Sequence, residues 1–169
     1  MEHLLLAEYE ADSVILAFDE ERGPIRITYH LAWDEWWQLR GAELVLVTER
    51  GVKSLSLQTD GQGHWRHRDK DVIGELDGCL DIDIWPTPFT NTFPIRREAM
   101  EIGERRQFRV VWVFAPDLTV HPKVQAYTRL AERLYFIESL GDDGFSAELP
   151  VDEEGIVFDY PDLFRRVIT

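Results

Sequence analysis

A single cysteine, Cys79, leaves the chain without an internal disulfide or a multi-cysteine zinc centre. It is expected to behave as a small buried hydrophobe. Basic residues are also scarce: 18 lysines and arginines face 32 acids, for a net charge of −14. A surface of that sign repels phosphate backbones and anionic headgroups, which speaks against nucleic acid as a partner and against membrane attachment by charge. Long apolar runs are missing. The start, MEHLLLAEYEADS, has a short apolar stretch without a basic flank and does not read as a secretory signal. No segment approaches the roughly 18 apolar residues that a transmembrane helix needs, so the expected location is the cytoplasm. No Gly-x-Ser-x-Gly elbow, phosphate-binding loop or dinucleotide fingerprint occurs. His64 and His67 flank Trp65 but have no third ligand near them in sequence. No cofactor, metal or catalytic residue is assigned.

What the chain does have is material for a core. Of its 169 residues, 44% are hydrophobic and 12% aromatic. A chain of this size suits one domain, taken as residues 1–169, burying about two-thirds of the surface its unfolded form exposes. Alternation with a period of two dominates. Ile25, Ile27, Tyr29, Leu31 and Trp33 share one face of IRITYHLAW. ELVLVTERGVKSLSLQ reads as two strands folded at Arg50-Gly51, and FSAELPV places Phe145, Ala147, Leu149 and Val151 together. In QFRVVWVFA both faces are apolar, with Phe108, Val110, Trp112 and Phe114 against Val111 and Val113. That pattern marks a strand covered on both sides. Turn clusters recur at Glu21-Arg22-Gly23-Pro24, Asp60-Gly61-Gln62-Gly63, Gly141-Asp142-Asp143-Gly144 and Asp152-Glu153-Glu154-Gly155. Many short strands at such spacing predict an all-β roll, barrel or sandwich. Two segments read otherwise. Val124, Tyr127, Leu130, Ala131, Leu134 and Tyr135 fall at helical spacing, and YPDLFRRV fits a short C-terminal helix after Pro161.

The densest polar chemistry lies in LDGCLDIDIWPTPFTNTFPIRR. Read as a strand, Asp77, Cys79, Asp81, Asp83 and Trp85 occupy one face, and Pro86 and Pro88 end the ladder. Thr90, Asn91 and Thr92 can bond their own backbone and fix a turn. Arg96 and Arg97 then point to opposite faces if the chain re-extends. Two readings compete. In one, an arginine clasps Asp81 or Asp83 and stitches two strands. In the other, the acids and one arginine line a concavity and hydrogen-bond sugar hydroxyls or a headgroup. Trp85, beside the acids, offers a flat face for a sugar ring or an acyl chain. Narrower chemistries fit less well. A metal-holding Asp-x-Asp pair normally follows an alternating strand–helix region, and none precedes this one. A glycosidase pair needs one acid in an apolar pocket, and a calcium loop has a different order of acids.

That run, together with Gly103-Glu104, PDLTVHPKVQAYTRL and FSAELPVDEEGIVFDYP, closely resembles the bacterial putative glycolipid-binding family. The resemblance is close over residues 60–165 and general in character over the first 55. It implies a mainly β fold, a single curled antiparallel sheet forming a spiral β-roll or open half-barrel, similar to carriers that shield acyl chains. It also implies that residues 124–138 are extended, against their periodicity. The matching motif residues are Asp77, Cys79, Asp81, Asp83, Thr90, Asn91, Thr92, Pro94, Arg96, Arg97, Gln125 and Tyr127. The resulting expectation is a non-catalytic protein that holds a glycolipid or other lipid-like ligand in the concave face of the roll. Its ligand-binding residues are drawn from Asp81, Asp83, Trp85, Thr90, Asn91, Thr92, Arg96, Arg97, Gln125 and Tyr127. The alternatives are an enzyme acting on a sugar- or phosphate-bearing small molecule through Asp81 or Asp83, and a structural or partner-binding module. Oligomeric state is not fixed by the sequence.

Overall fold

A computed structural model describes residues 1–68, 71–141, 144–160 and 163–167. Asp142-Asp143, part of an expected turn, and Pro161, the expected helix start, lie outside the described residues. The first half is an antiparallel meander: β1 (Glu2–Leu6), β2 (Glu10–Asp19), β3 (Gly23–Trp33), β4 (Leu39–Thr48), β5 (Gly51–Thr59) and β6 (Trp65–His67) pair in sequence order. The second half is a five-stranded sheet of β7 (Asp81–Trp85), β8 (Arg105–Phe114), β9 (Thr119–Ala131), β10 (Leu134–Ser139) and β11 (Ser146–Pro150), ordered β11-β10-β9-β8-β7. This sheet curls as a half-barrel. A short hairpin, β12 (Asp159–Tyr160) with β13 (Phe164–Arg165), follows. The one α-helix among the described residues, α1 (Thr92–Arg97), sits between β7 and β8.

The alternation read from β3 is realised: Ile25, Ile27, Tyr29, Leu31 and Trp33 are all buried. Packed against Leu44 and Leu57 from the neighbouring strands, they face Ile82, Ile84, Val111 and Val113 of the second sheet in one continuous core. The β4–β5 hairpin closes with Thr48 opposite Gly51, whose φ of +125° suits glycine. Strand β8 has apolar side chains on both faces because it separates two cores. Val111 and Val113 fill the core between the sheets, while Phe108 and Val110 join Tyr127, Tyr135, Ile137 and Leu149 in a second cluster. Each of these side chains contributes about 1.5–3 kcal/mol by leaving water.

Two details depart from expectation, and a third departs only from the helical spacing. The strands divide between two principal sheets rather than forming one, and β7 pairs with β8 in parallel. Residues 124–138 are extended, as the resemblance implied. Their helical spacing arises because β9 is buried on both faces at Gln125, Ala126 and Tyr127 and the register shifts between Leu134 and Tyr135. Val124 and Leu130, which the helical pattern would bury, are exposed. The C-terminal helix is replaced by the β12–β13 hairpin. A helix this short closes too few hydrogen bonds to offset its nucleation cost, whereas the hairpin supplies ladder partners at once. No helix among the described residues is long and apolar enough to cross a membrane.

Candidate functional site

Strand β7 is delivered by a close approach of two glycine backbones. Gly63 has φ +93°, and a Cβ there would lie 2.9 Å from the Cα of Gly78. The Gly78 amide donates to the Gly63 carbonyl at 2.9 Å, and the Trp65 indole donates to the Cys79 carbonyl at 2.7 Å. Asp77 and Cys79 therefore belong to the turn before the strand, not to its ladder, and Cys79 is buried in the core as expected. Within β7 the register sets Asp81, Asp83 and Trp85 beside Val110, Trp112 and Phe114 of β8. Ile82 and Ile84 point into the core between the sheets.

The segment after Trp85 coils rather than re-extending. Thr87 accepts the Phe89 amide at 3.1 Å, and Thr90 Oγ1 accepts the Ile84 amide at 3.2 Å. Asn91 Nδ2 donates to the Pro88 carbonyl at 3.0 Å, the local turn bonding anticipated for these residue types. Pro94 lies in the first turn of α1, where its missing N–H leaves no hydrogen bond broken. Helical geometry sends the two arginines to different neighbours. Arg97 forks onto Asp81, with Nη2–Oδ2 at 2.7 Å and Nε–Oδ1 at 3.2 Å, and also bonds Glu98. Arg96 lies over the Trp37 ring, 5.2 Å from its centroid. Burial pushes the Asp81 carboxyl upward while the Arg97 fork opposes it. The guanidinium is held more firmly protonated, its two carboxylate neighbours outweighing its own burial.

Asp83 has different company. Its carboxylate accepts Gln125 Nε2 at 2.5 Å and the Thr90 hydroxyl at 3.4 Å. Burial raises its pKa, opposed first by the Gln125 hydrogen bond and then by the Lys123 charge. Tyr127, wholly buried, donates to Asn91 Oδ1 at 2.7 Å. Burial pushes this phenol far up, with further contributions from Asp83, Tyr160 and Asp81. Replacing Tyr127 with phenylalanine would leave the Asn91 carbonyl buried and unpaired, a loss of about 1–3 kcal/mol. Urea unfolding should report that loss, and a change within 0.5 kcal/mol would show the bond to be dispensable.

A cavity of about 340 Å³ opens beside this network. Its polar wall includes Asp83, Thr87, Asn91, Lys123, Gln125, Ser139 and Tyr160; its apolar wall includes Trp85, Trp112, Ile137, Phe145 and Leu163. Four of the ten expected binding residues thus line it: Asp83, Trp85, Asn91 and Gln125. Thr90, Thr92 and Tyr127 are buried behind them, while the Asp81–Arg97 pair and Arg96 do not line it. Trp33 and Trp37 stack on one another and meet Phe93 edge-on at the core. A second depression, about 400 Å³, lies at the β4–β5 turn and contains none of these residues. Among the described residues no three His, Cys, Asp or Glu side chains converge as metal ligands.

Sequence reasoning missed Glu2. Its carboxylate accepts hydroxyls from Ser13 at 2.8 Å, Tyr29 at 2.7 Å and Thr87 at 2.9 Å. It ties the first strand to the proline-rich loop that roofs the cavity. Glu2 and Thr87 are 85 positions apart, and no local pattern links them. Ser139, Tyr160, Leu163 and Phe164 also reach the cavity without any motif to mark them. Phe145, through the alternation of FSAELPV, and Trp112, through that of QFRVVWVFA, did carry a strand signal.

The profile of the family described as putative glycolipid-binding matches residues 1–166, well into the N-terminal stretch that resembled it only in general character. The crystal structure of a DUF1089 family protein from Pseudomonas aeruginosa is 46% identical, with a TM-score of 0.96, over 99% of this chain and 91% of that one. Comparison with curated proteins gives no match. With nearly every residue covered by the family profile, the chain belongs to the putative glycolipid-binding family.

Proposed function

We propose that the protein binds a glycolipid-like amphiphile without transforming it, seating the sugar and the first methylenes in the cavity beside Asp83. The observation that carries this reading is the cavity itself, where hydrogen-bonding side chains from β7, the proline-rich loop, β9 and β10 meet an aromatic and aliphatic wall. At about 340 Å³ it lies at the small end of ligand sites. That size suits a headgroup rather than whole acyl chains. Asp83, Asn91 and Gln125 bond the ligand, and Trp85 covers its apolar face. Thr90, Thr92 and Tyr127 support that wall from behind, Asp81 and Arg97 brace the crossover, and Arg96 pins α1 to Trp37. The family's description supports a glycolipid as the kind of ligand. The enzymatic alternative has less support, because Asp81 is engaged by Arg97 and only Asp83 lines the cavity. A partner-binding module does not call for a cavity.

Octyl glucoside, titrated below its micellar concentration into purified protein, should bind saturably by calorimetry and change the fluorescence of Trp85 and Trp112. Organic extracts of freshly purified protein should contain a glycolipid by mass spectrometry. Non-saturable heats combined with clean extracts from several expression hosts would sink the reading.

A further inference from the structure

We infer that the cavity selects an uncharged, hydroxyl-bearing ring and that Ser139 is the residue that reads it; this deepens, and rests on, the ligand reading above. Ser139 is 9% exposed and lines the cavity, and its Oγ meets no hydrogen-bonding partner among the described residues. A buried hydroxyl without a partner lowers stability. The Oγ itself has almost no accessible surface, so a ligand hydroxyl would remove that penalty once χ1 of Ser139 turns it to the cavity. Across the β9–β10 ladder Ser139 stands directly opposite Gln125, whose Nε2 donates to Asp83. Three polar groups from three strands are therefore placed side by side. The carboxylate only accepts, while the serine both donates and accepts. Neighbouring ring hydroxyls, each able to do both, fit such a pair: one donates to Asp83 and the next exchanges a bond with Ser139.

Charge narrows the class. The charged lining residues are Asp83 and Lys123, of opposite sign. An anionic headgroup placed against this wall meets the Asp83 carboxylate, within a protein of net charge −14. A cationic one meets Lys123, whose ammonium lies 5.0 Å from the centroid of the Trp112 ring, over the aromatic face that a quaternary amine would use. A neutral sugar meets neither obstacle.

Four probes sharing an octyl chain test this, each as monomer: octyl glucoside, octyl tetraethylene glycol ether, octyl phosphate and octyltrimethylammonium. The parent protein should bind the glucoside at least about tenfold more tightly than the other three, since the phosphate and ammonium probes carry charge and the ether has one terminal hydroxyl in place of adjacent ring hydroxyls. Ser139→Ala should weaken the glucoside about three- to tenfold, the range for one neutral hydrogen bond, and leave the ether unchanged. The same substitution should raise the Tm of the ligand-free protein by about 2–4 °C, by relieving the unpaired hydroxyl. Unaltered glucoside affinity in S139A would overturn the role of Ser139, and so would an unaltered or lowered Tm, which would mean that its hydroxyl is already satisfied. Preference for the phosphate or the ammonium probe would overturn the neutral class while leaving amphiphile binding intact. Binding of none of the four would overturn this inference and the proposed function together.

Discussion

Replacing Arg97 with methionine lowers the free energy of unfolding by about 3–5 kcal/mol, the loss expected when one member of a buried ion pair is removed. Asp81 is fully buried and its carboxylate is held by the Arg97 fork. Methionine fills much of the vacated volume but leaves that carboxylate without a counter-ion. The paired substitution D81L/R97M should restore most of the loss, since apolar residues in place of a buried pair are often neutral or better. Urea unfolding of the two single variants and the double variant gives the coupling directly. A cost below about 1 kcal/mol for R97M would place the pair among solvent-screened surface bridges and dismiss it as a clasp. R97M that remains folded should bind octyl glucoside as the parent does, because Arg97 does not line the cavity.

Asp83→Asn has the opposite profile: a large effect on binding and a small one on folding. A hydrogen bond to a charged acceptor contributes about 1.5–3 kcal/mol, so affinity for the glucoside should fall roughly ten- to a hundredfold. Acidity separates this role from a structural one. Burial raises the pKa of Asp83 in the folded protein, so the native state takes up this proton at a higher pH than the unfolded chain, whose aspartates titrate near 3.9. The stability that comes with protonation is fully present below the unfolded value and is lost as pH rises through the folded one. On acidification from pH 7 the parent should therefore gain stability relative to D83N, while its affinity for the sugar falls as the acceptor is protonated. D83N should show neither trend. Parent-like affinity in D83N, or a stability difference that does not vary with pH, would remove Asp83 from the site.

Some of this was open to reading in the sequence because the physics is local. The alternation of Ile25, Ile27, Tyr29, Leu31 and Trp33 directly reports a half-buried strand, and the two-faced QFRVVWVFA reports a strand between cores. Asp81 and Asp83 shared a face, as their parity required. Local physics also misled. Double-sided burial of Gln125, Ala126 and Tyr127 erased the period-two signal in β9. TNTFPIRR closed into a helix with Arg96 and Arg97 at its end, so their partners followed helical directions and not strand parity. The site itself is mostly non-local. Ser139, Tyr160 and Leu163 come from strands and turns far from DIDIW, and only tertiary packing assembles them.

The parallel pairing of β7 with β8 has a kinetic consequence. Antiparallel neighbours can be joined by a tight turn, but a parallel partner must wait until the chain has run back along the strand. Here the return path is the proline-rich loop and α1 themselves. The six-stranded half, in contrast, pairs each strand with the next, and such short-range pairings form sooner than long-range ones. The cavity draws its walls from β7 through β13 and is whole only after the return has been made and the last hairpin has closed. A chain halted before the last hairpin lacks part of the cavity wall and would capture no ligand. Ligand capture is therefore a readout of completed folding, visible to an experiment that follows binding and strand content together in time.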